Sequence, residues 1–165
     1  MKIGDTIMKI TIISVGKLKE KYLLEGIKEY SKRLSKYTKL EFIEVLDERA
    51  PETLSDKEIE IVKNKEGKKI LSKVKDGYII ALVIGGKQLS SVELANKIEE
   101  IKAYKSSHIT FIIGGSNGLS NEVINKSNFK LSFSNLTFPH QLMRLILLEQ
   151  IYRSFRILSN EPYHK

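Results

Sequence analysis

The sequence predicts an α/β domain in which one mostly parallel sheet lies between layers of helices. Short β-branched, apolar runs alternate with longer amphipathic stretches along the chain, as in repeated βαβ units. Glycine pairs follow two of the apolar runs, at the strand ends where ligands gather in sheets of this kind. A length of 165 residues fits a single domain, which buries about 70% of the surface its unfolded chain exposes.

The elements follow in order. Residues 8–15 (MKITIISV) read as a buried strand, 19–37 as a helix, 39–46 (KLEFIEVL) as an alternating strand and 55–74 as a helix. Residues 78–84 (YIIALVI) form the third strand, 90–104 a helix and 108–113 a strand. A short helix at 120–126, a last strand at 129–133 and a long helix at 139–158 complete the chain. Ser55 with Glu58 and Ser90 with Glu93 have the spacing of capping boxes, in which side chain and backbone satisfy each other's free amides. The polar stretch DERAPETLS at 47–55 is the one extended loop, a place for a flexible excursion or lid.

Composition removes several classes of chemistry. The chain has no cysteine, which excludes thiol nucleophiles, cysteine-ligated zinc, iron–sulfur clusters and disulfides. Its three histidines, His108, His140 and His164, show no helical i, i+4 pairing, so no metal site is expected. The N-terminal segment is too interrupted by Gly4 and Asp5 for a signal peptide, and no apolar stretch has membrane-spanning length. A soluble, cytoplasmic protein without a membrane partner is expected. With 28 Lys and Arg against 20 Asp and Glu, the net charge of +8 favours a polyanionic partner through long-range attraction and counterion release.

The strand ends LVIGGK (82–87) and FIIGGS (111–116) lie 29 positions apart, about one βαβ unit, and read as neighbouring loops of one pocket. Backbone groups freed at such glycines, beside a helix start, suit a nucleotide-like ligand. Neither loop has the order G-x-G-x-x-G or G-x-x-x-x-G-K-[ST], so a dinucleotide fold and a P-loop are unsupported.

The helix at 139–158 is apolar around most of its circumference. Leu142, Met143, Leu145, Ile146, Leu147, Leu148, Ile151, Tyr152 and Phe155 exceed what one small domain covers, which implies a two-fold dimer packed through this helix. His140, four residues before Arg144, reads as a first-turn structural or pocket-lining residue. Glu149 and Arg153 form a helical ion pair, and Arg153 and Arg156 face either phosphate or surface carboxylates.

The run GGSNG, the block SFSNLTFPHQLMRLILLEQIYR, the terminal YHK, the early MKITIISVGKLKEKY and the middle DERAPETLSDKEIE together closely resemble the bacterial SPOUT-class methyltransferases. The resemblance covers residues 8–165, within the class to enzymes that modify N3 of a pseudouridine in the 23S ribosomal RNA of the large subunit. It implies a C-terminal trefoil knot, S-adenosylmethionine as cofactor, and a homodimer acting on the ribosome in which each pocket is completed by the partner. Carried over by position, it implies cofactor binding by Leu82, Gly114, Phe133, Ser134, Asn135, Leu136, Thr137 and Phe138. Residues 1–7 precede the matched region and read as an N-terminal extension.

Methylation of an imide nitrogen requires loss of its proton as the nitrogen attacks, so a base or anion stabiliser is needed. Under the resemblance, Tyr163 and His164 of the tail are the catalytic candidates, and Arg144, Arg153 and Lys165 are candidates for RNA contact. Two other classes stay open on the residues alone. A non-catalytic RNA-binding module accounts for charge and tail but not for the glycine-gated apolar pocket, and another nucleotide-dependent enzyme lacks its acidic ribose ligand or phosphate motif.

Overall fold

The computed structural model describes residues 7–165. Ten elements alternate: β1 (Met8–Val15), α1 (Lys21–Leu34), β2 (Thr38–Val45), α2 (Asp56–Lys73), β3 (Tyr78–Gln88), α3 (Ser91–Tyr104), β4 (His108–Ile113), α4 (Asn121–Lys126), β5 (Phe129–Ser132) and α5 (His140–Leu158). Most of the expected 1–7 extension lies outside the described residues.

All five strands are parallel, in the order β2-β1-β4-β3-β5. Because side chains alternate across a strand, each one feeds two cores. Met8, Ile10 and Ile12 of β1, Ile80 of β3, Ile109 and Phe111 of β4 and Leu131 of β5 pack with α1, α3 and α5. Ile13 and Val15, Ala81 and Ile112 point the other way, onto Ile70 of α2 and Val123 of α4. Phe111, Ile10, Ile12 and Ile109 have no exposed surface, so a large-to-small change at any of them costs roughly 2–5 kcal/mol.

The helices start where the sequence places its caps. Ser55 accepts the Glu58 amide at 3.2 Å while Glu58 accepts the Ser55 amide, and Ser90 and Glu93 do the same at 3.1 and 2.9 Å. The first helix is shorter than expected: α1 begins at Lys21 behind an uncapped Glu20, so Lys17 and Lys19 lie in the loop after β1.

The connections position the site. Helices α1 and α3 carry the chain one way across one face of the sheet, and α2 and α4 carry it the opposite way across the other, so all four crossovers share one hand. The adjacent strands β1 and β4 therefore send their chains in opposite directions, and a crevice opens beyond their carboxyl ends. Strand β3 is longer than the sequence suggested. Leu82 and Lys87 both pair with Leu131 of β5, so residues 83–86 bulge out of the sheet before pairing resumes.

Arg144 corrects an expectation. Foreseen at RNA, it is 2% exposed, inside the fold. Its guanidinium donates to the carbonyls of Val15 and Gly16 at 2.8 and 2.7 Å and to the Glu44 carboxylate at 2.6 Å. Carbonyls at the end of β1 have no further strand to pair with, and a planar cation with several donors satisfies two at once. Its Nε has no partner among the described residues. Glu44 in turn accepts the Leu18 amide at 2.9 Å. Urea unfolding should show Arg144→Ala destabilised by about 3 kcal/mol, because buried acceptors lose their donor. Glu44→Gln, at a side chain 42% exposed, should cost less than about 1 kcal/mol.

Candidate active site

Three strand ends meet in one cleft of about 320 Å³. Its walls are Leu82 and the bulge after β3, the turn after β4 and the loop after β5. Strand β4 stops at Ile113 and the chain turns at once, the Gly118 amide donating to the Gly115 carbonyl at 3.0 Å. Gly118 takes φ +83, in the left-handed region, and a Cβ on Gly114 would stand 2.8 Å from the Gly118 carbonyl carbon. Only glycine lets the turn fold this tightly onto the strand end. Ser120 then caps α4 by accepting the Val123 amide. The loop at 133–138 is held by its own serines, with the Leu136 amide donating to Ser134 Oγ at 3.0 Å and Ser132 Oγ donating to the Ser134 carbonyl.

The cleft brings together seven of the eight expected cofactor residues: Leu82, Gly114, Phe133, Ser134, Leu136, Thr137 and Phe138. Asn135 does not line it. Its Oδ1 accepts the Gln88 side-chain amide at 2.8 Å, which ties the loop to the far end of β3. Walls that are largely apolar, backbone groups at glycines and a nucleoside-scale volume fit an adenine-bearing sulfonium ligand. Lys63, the cation on the wall, is paired with Glu60 at 3.2 Å, and among the described residues no carboxylate lines the cleft. Ile84 and Leu136, 77% and 72% exposed, are large apolar side chains at the mouth, without cover in a single chain.

A second cavity of about 570 Å³ adjoins the first, at the crevice between the ends of β1 and β4. The loop at 47–55, read from sequence as a place for a flexible excursion or lid, forms one wall through its residues 47–54 and is fastened to α2 by Lys69, which contacts Glu48 at 2.7 Å and the Leu46 carbonyl. Glu66 of α2 is a buried acid that also lines this cavity, 5% exposed. One of its oxygens accepts the Glu48 amide at 3.0 Å. Burial pushes the Glu66 carboxyl above the usual carboxylate range, against the opposing pull of that amide. His140 lines both cavities.

The tail is not frayed. Arg156 bridges Glu161 and the Pro162 carbonyl, Tyr37 donates to Glu161 at 2.6 Å, and the Tyr163 ring meets Tyr152 edge-on at 4.9 Å. Arg153 lies over the Tyr163 ring at 4.7 Å, pairs with Glu149 at 2.6 Å, and donates to His164 Nδ1 at 3.0 Å. Tyr163 donates to Glu149 at 3.1 Å; burial first, then Tyr30 and Glu149, hold its phenol protonated well above the ordinary range. His164 and Lys165 are exposed. None of the three lines either cavity. Glu149, their anchor, stands nine residues along α5 from His140, about 14 Å of helix.

His108 is structural: its Nδ1–H donates to the Asp76 carbonyl at 3.0 Å and its Nε2 accepts the Thr11 hydroxyl at 2.7 Å. Sequence reasoning missed the buried role of Arg144, although an arginine inside an apolar helix must be paired, and it missed the second cavity altogether. A raised pKa has a stability signature. Because Glu66 holds its proton more tightly folded than unfolded, rising pH through the folded value removes stability. The melting temperature of Glu66→Gln minus that of the native chain should therefore become more positive from pH 4.5 to pH 7.5 in differential scanning calorimetry.

Residues 8–164 match the family described as predicted SPOUT methyltransferase. Curated proteins called ribosomal RNA large subunit methyltransferase H are similar over 96% of this chain and 100% of their own length: 62% identical in Clostridioides difficile and in Alkaliphilus oremlandii, and 58% in Enterococcus faecalis. Among solved structures, a probable methylase family protein from Haemophilus influenzae has the same fold, with a TM-score of 0.50 at 15% identity over 96% of this chain and 70% of that one. A cleft walled by the glycine turn and the 133–138 loop, in a chain whose residues 8–164 match the family and whose relatives align over 96% of it, makes it a member of the SPOUT methyltransferase family.

Proposed function

We propose that the chain uses S-adenosylmethionine to methylate N3 of a pseudouridine in the 23S ribosomal RNA, on the assembled ribosome in the cytoplasm, as a homodimer. The observation that carries this reading is the convergence of seven expected cofactor residues on one apolar, glycine-turned cleft. Full-length relatives named for large-subunit ribosomal RNA support the substrate, as does the net charge of +8. The trefoil knot implied by the family belongs to the same reading, supported by the Gly114 turn and the 133–138 loop sharing a wall.

When bound, the cofactor supplies a methyl group made electrophilic by its sulfonium. Leu82, Leu136 and Phe138 would hold the adenine and exclude water, while Gly114 and its neighbours give backbone hydrogen bonds. The tail does the remaining work in the partner's cleft, since it is anchored too far along α5 to reach its own. There Tyr163 acts as a protonated donor or stacking surface, His164 and Lys165 face the base and its phosphate, and Arg153 holds His164 in place. Leu142, Met143, Leu145 and Ile146, only partly buried in one chain, supply the two-fold contact.

Ribosomes, free large subunits and tRNA offered with labelled S-adenosylmethionine should separate the substrates, with the modified nucleoside mapped by mass spectrometry. Label in N3-methylpseudouridine of ribosomal RNA is expected; label in tRNA, or in no RNA, overturns the reading. Deleting residues 161–165 should slow methyl transfer at least about 100-fold while calorimetry finds cofactor affinity little changed. A 1:1 mixture of that deletion with Leu136→Asp, a change at an exposed position, should recover about a quarter of native activity if sites are shared between chains. Additive, near-zero activity would contradict sharing.

A further inference from the structure

We infer that the second cavity receives the acceptor pyrimidine and that His140 is the group that takes its N3 proton. This rests on the methyltransferase reading above and adds a base to it. The tail is poorly equipped for that step. A guanidinium only donates, so the Arg153 contact at 3.0 Å occupies the lone pair of His164 Nδ1, and a neutral His164 ring is left with a donor at Nε2. Tyr163 keeps its proton, and Lys165 is an ammonium. These are groups that stabilise an anion rather than groups that make one.

The acceptor must lie beside the methyl donor yet outside its cleft, and the base must reach both spaces. Among the described residues, the donor cleft has two titratable side chains on its wall, Lys63 and His140, and Lys63 is a paired cation. His140 is the titratable residue shared with the second cavity. It is half-buried at the first turn of α5, and its ring has no hydrogen bond to another described residue. A helix start and a buried cation one turn away disfavour imidazolium. Burial first, and Arg144 next, accordingly lower its pKa below the ordinary 6.5, with Asp47 opposing. The ring is thus a neutral acceptor at physiological pH.

The other charged groups around the second cavity are Asp47, Glu48, Arg49 and Glu52 on the loop and Glu66 on α2. Asp47 is placed to stabilise the imidazolium once it forms. In the step itself, N3 forms its bond to the methyl carbon as the carbon–sulfur bond breaks, and that electron pair stays on sulfur, which becomes a neutral thioether. The N3–H proton passes to the free ring nitrogen of His140 and leaves to solvent through the second cavity.

The test compares native enzyme with His140→Gln in single-turnover methylation of ribosomes that the native enzyme modifies, from pH 5 to pH 9, with cofactor affinity read by calorimetry. The native rate should be level above a midpoint below 6.5 and fall beneath it. His140→Gln should be slower by about 100-fold or more, its residual rate rising about tenfold per pH unit, while cofactor affinity stays within about threefold. Added imidazole should restore at least part of the rate to His140→Ala, and the His140 ring of the native chain, assigned by its absence in His140→Gln, should titrate below 6.5 by NMR. A glutamine variant with native rate or native pH profile overturns the inference, as does one that loses cofactor affinity in proportion to rate. Failure of the native enzyme to label any ribosome would instead count against the substrate reading.

Discussion

The guanidinium of Arg144 holds the working end of the molecule together. Strands β1 and β2 finish at the carboxyl edge of the sheet, and a single cation reaches Val15, Gly16 and Glu44 there. Its own helix, α5, is thereby fixed against that edge by its second turn. The first turn carries His140 and follows directly on the 133–138 loop, so the cleft wall and the His140 ring inherit their position from a contact made elsewhere. Desolvating a cation is costly and is repaid only by well-placed acceptors, which suits a residue with one permitted arrangement.

The sheet sets what can be built around that anchor. Strands covered on both faces leave no room for polar chemistry along their length, and so functional groups collect where strands end. The common hand of the four crossovers puts the β1–β4 crevice next to the β3–β4–β5 cleft, with the Gly115 turn between them. Two adjacent spaces sharing one wall are what a transfer between two substrates needs. The tail, clamped by Arg153, Arg156 and Tyr37 on the opposite end of α5, lines neither space of its own chain.

Much of this was legible in the chain. The strand positions follow from β-branched runs whose period is enforced by burial on both faces, and both capping boxes formed because their geometry is local. Leu82, Gly114 and the 133–138 loop could be grouped because family likeness aligned them, and the fold sets all of them but Asn135 around one space. Arg144 was misread because burial of a cation depends on acceptors 100 or more residues away, which no local pattern encodes. The role of the 47–54 loop was hidden for the same reason: its composition says only that it is polar, while its meeting with Glu66 depends on how α2 crosses the sheet.

The excursion of β3 has a further implication. It departs from the sheet opposite Leu131 and returns opposite Leu131, so the residues within it add nothing to the count that aligns one strand with the next. Length and composition at 83–86 are in that sense independent variables of the architecture. Evolution or design can reshape this rim of the ligand chamber, even by insertion, and β5 with everything after it keeps its alignment.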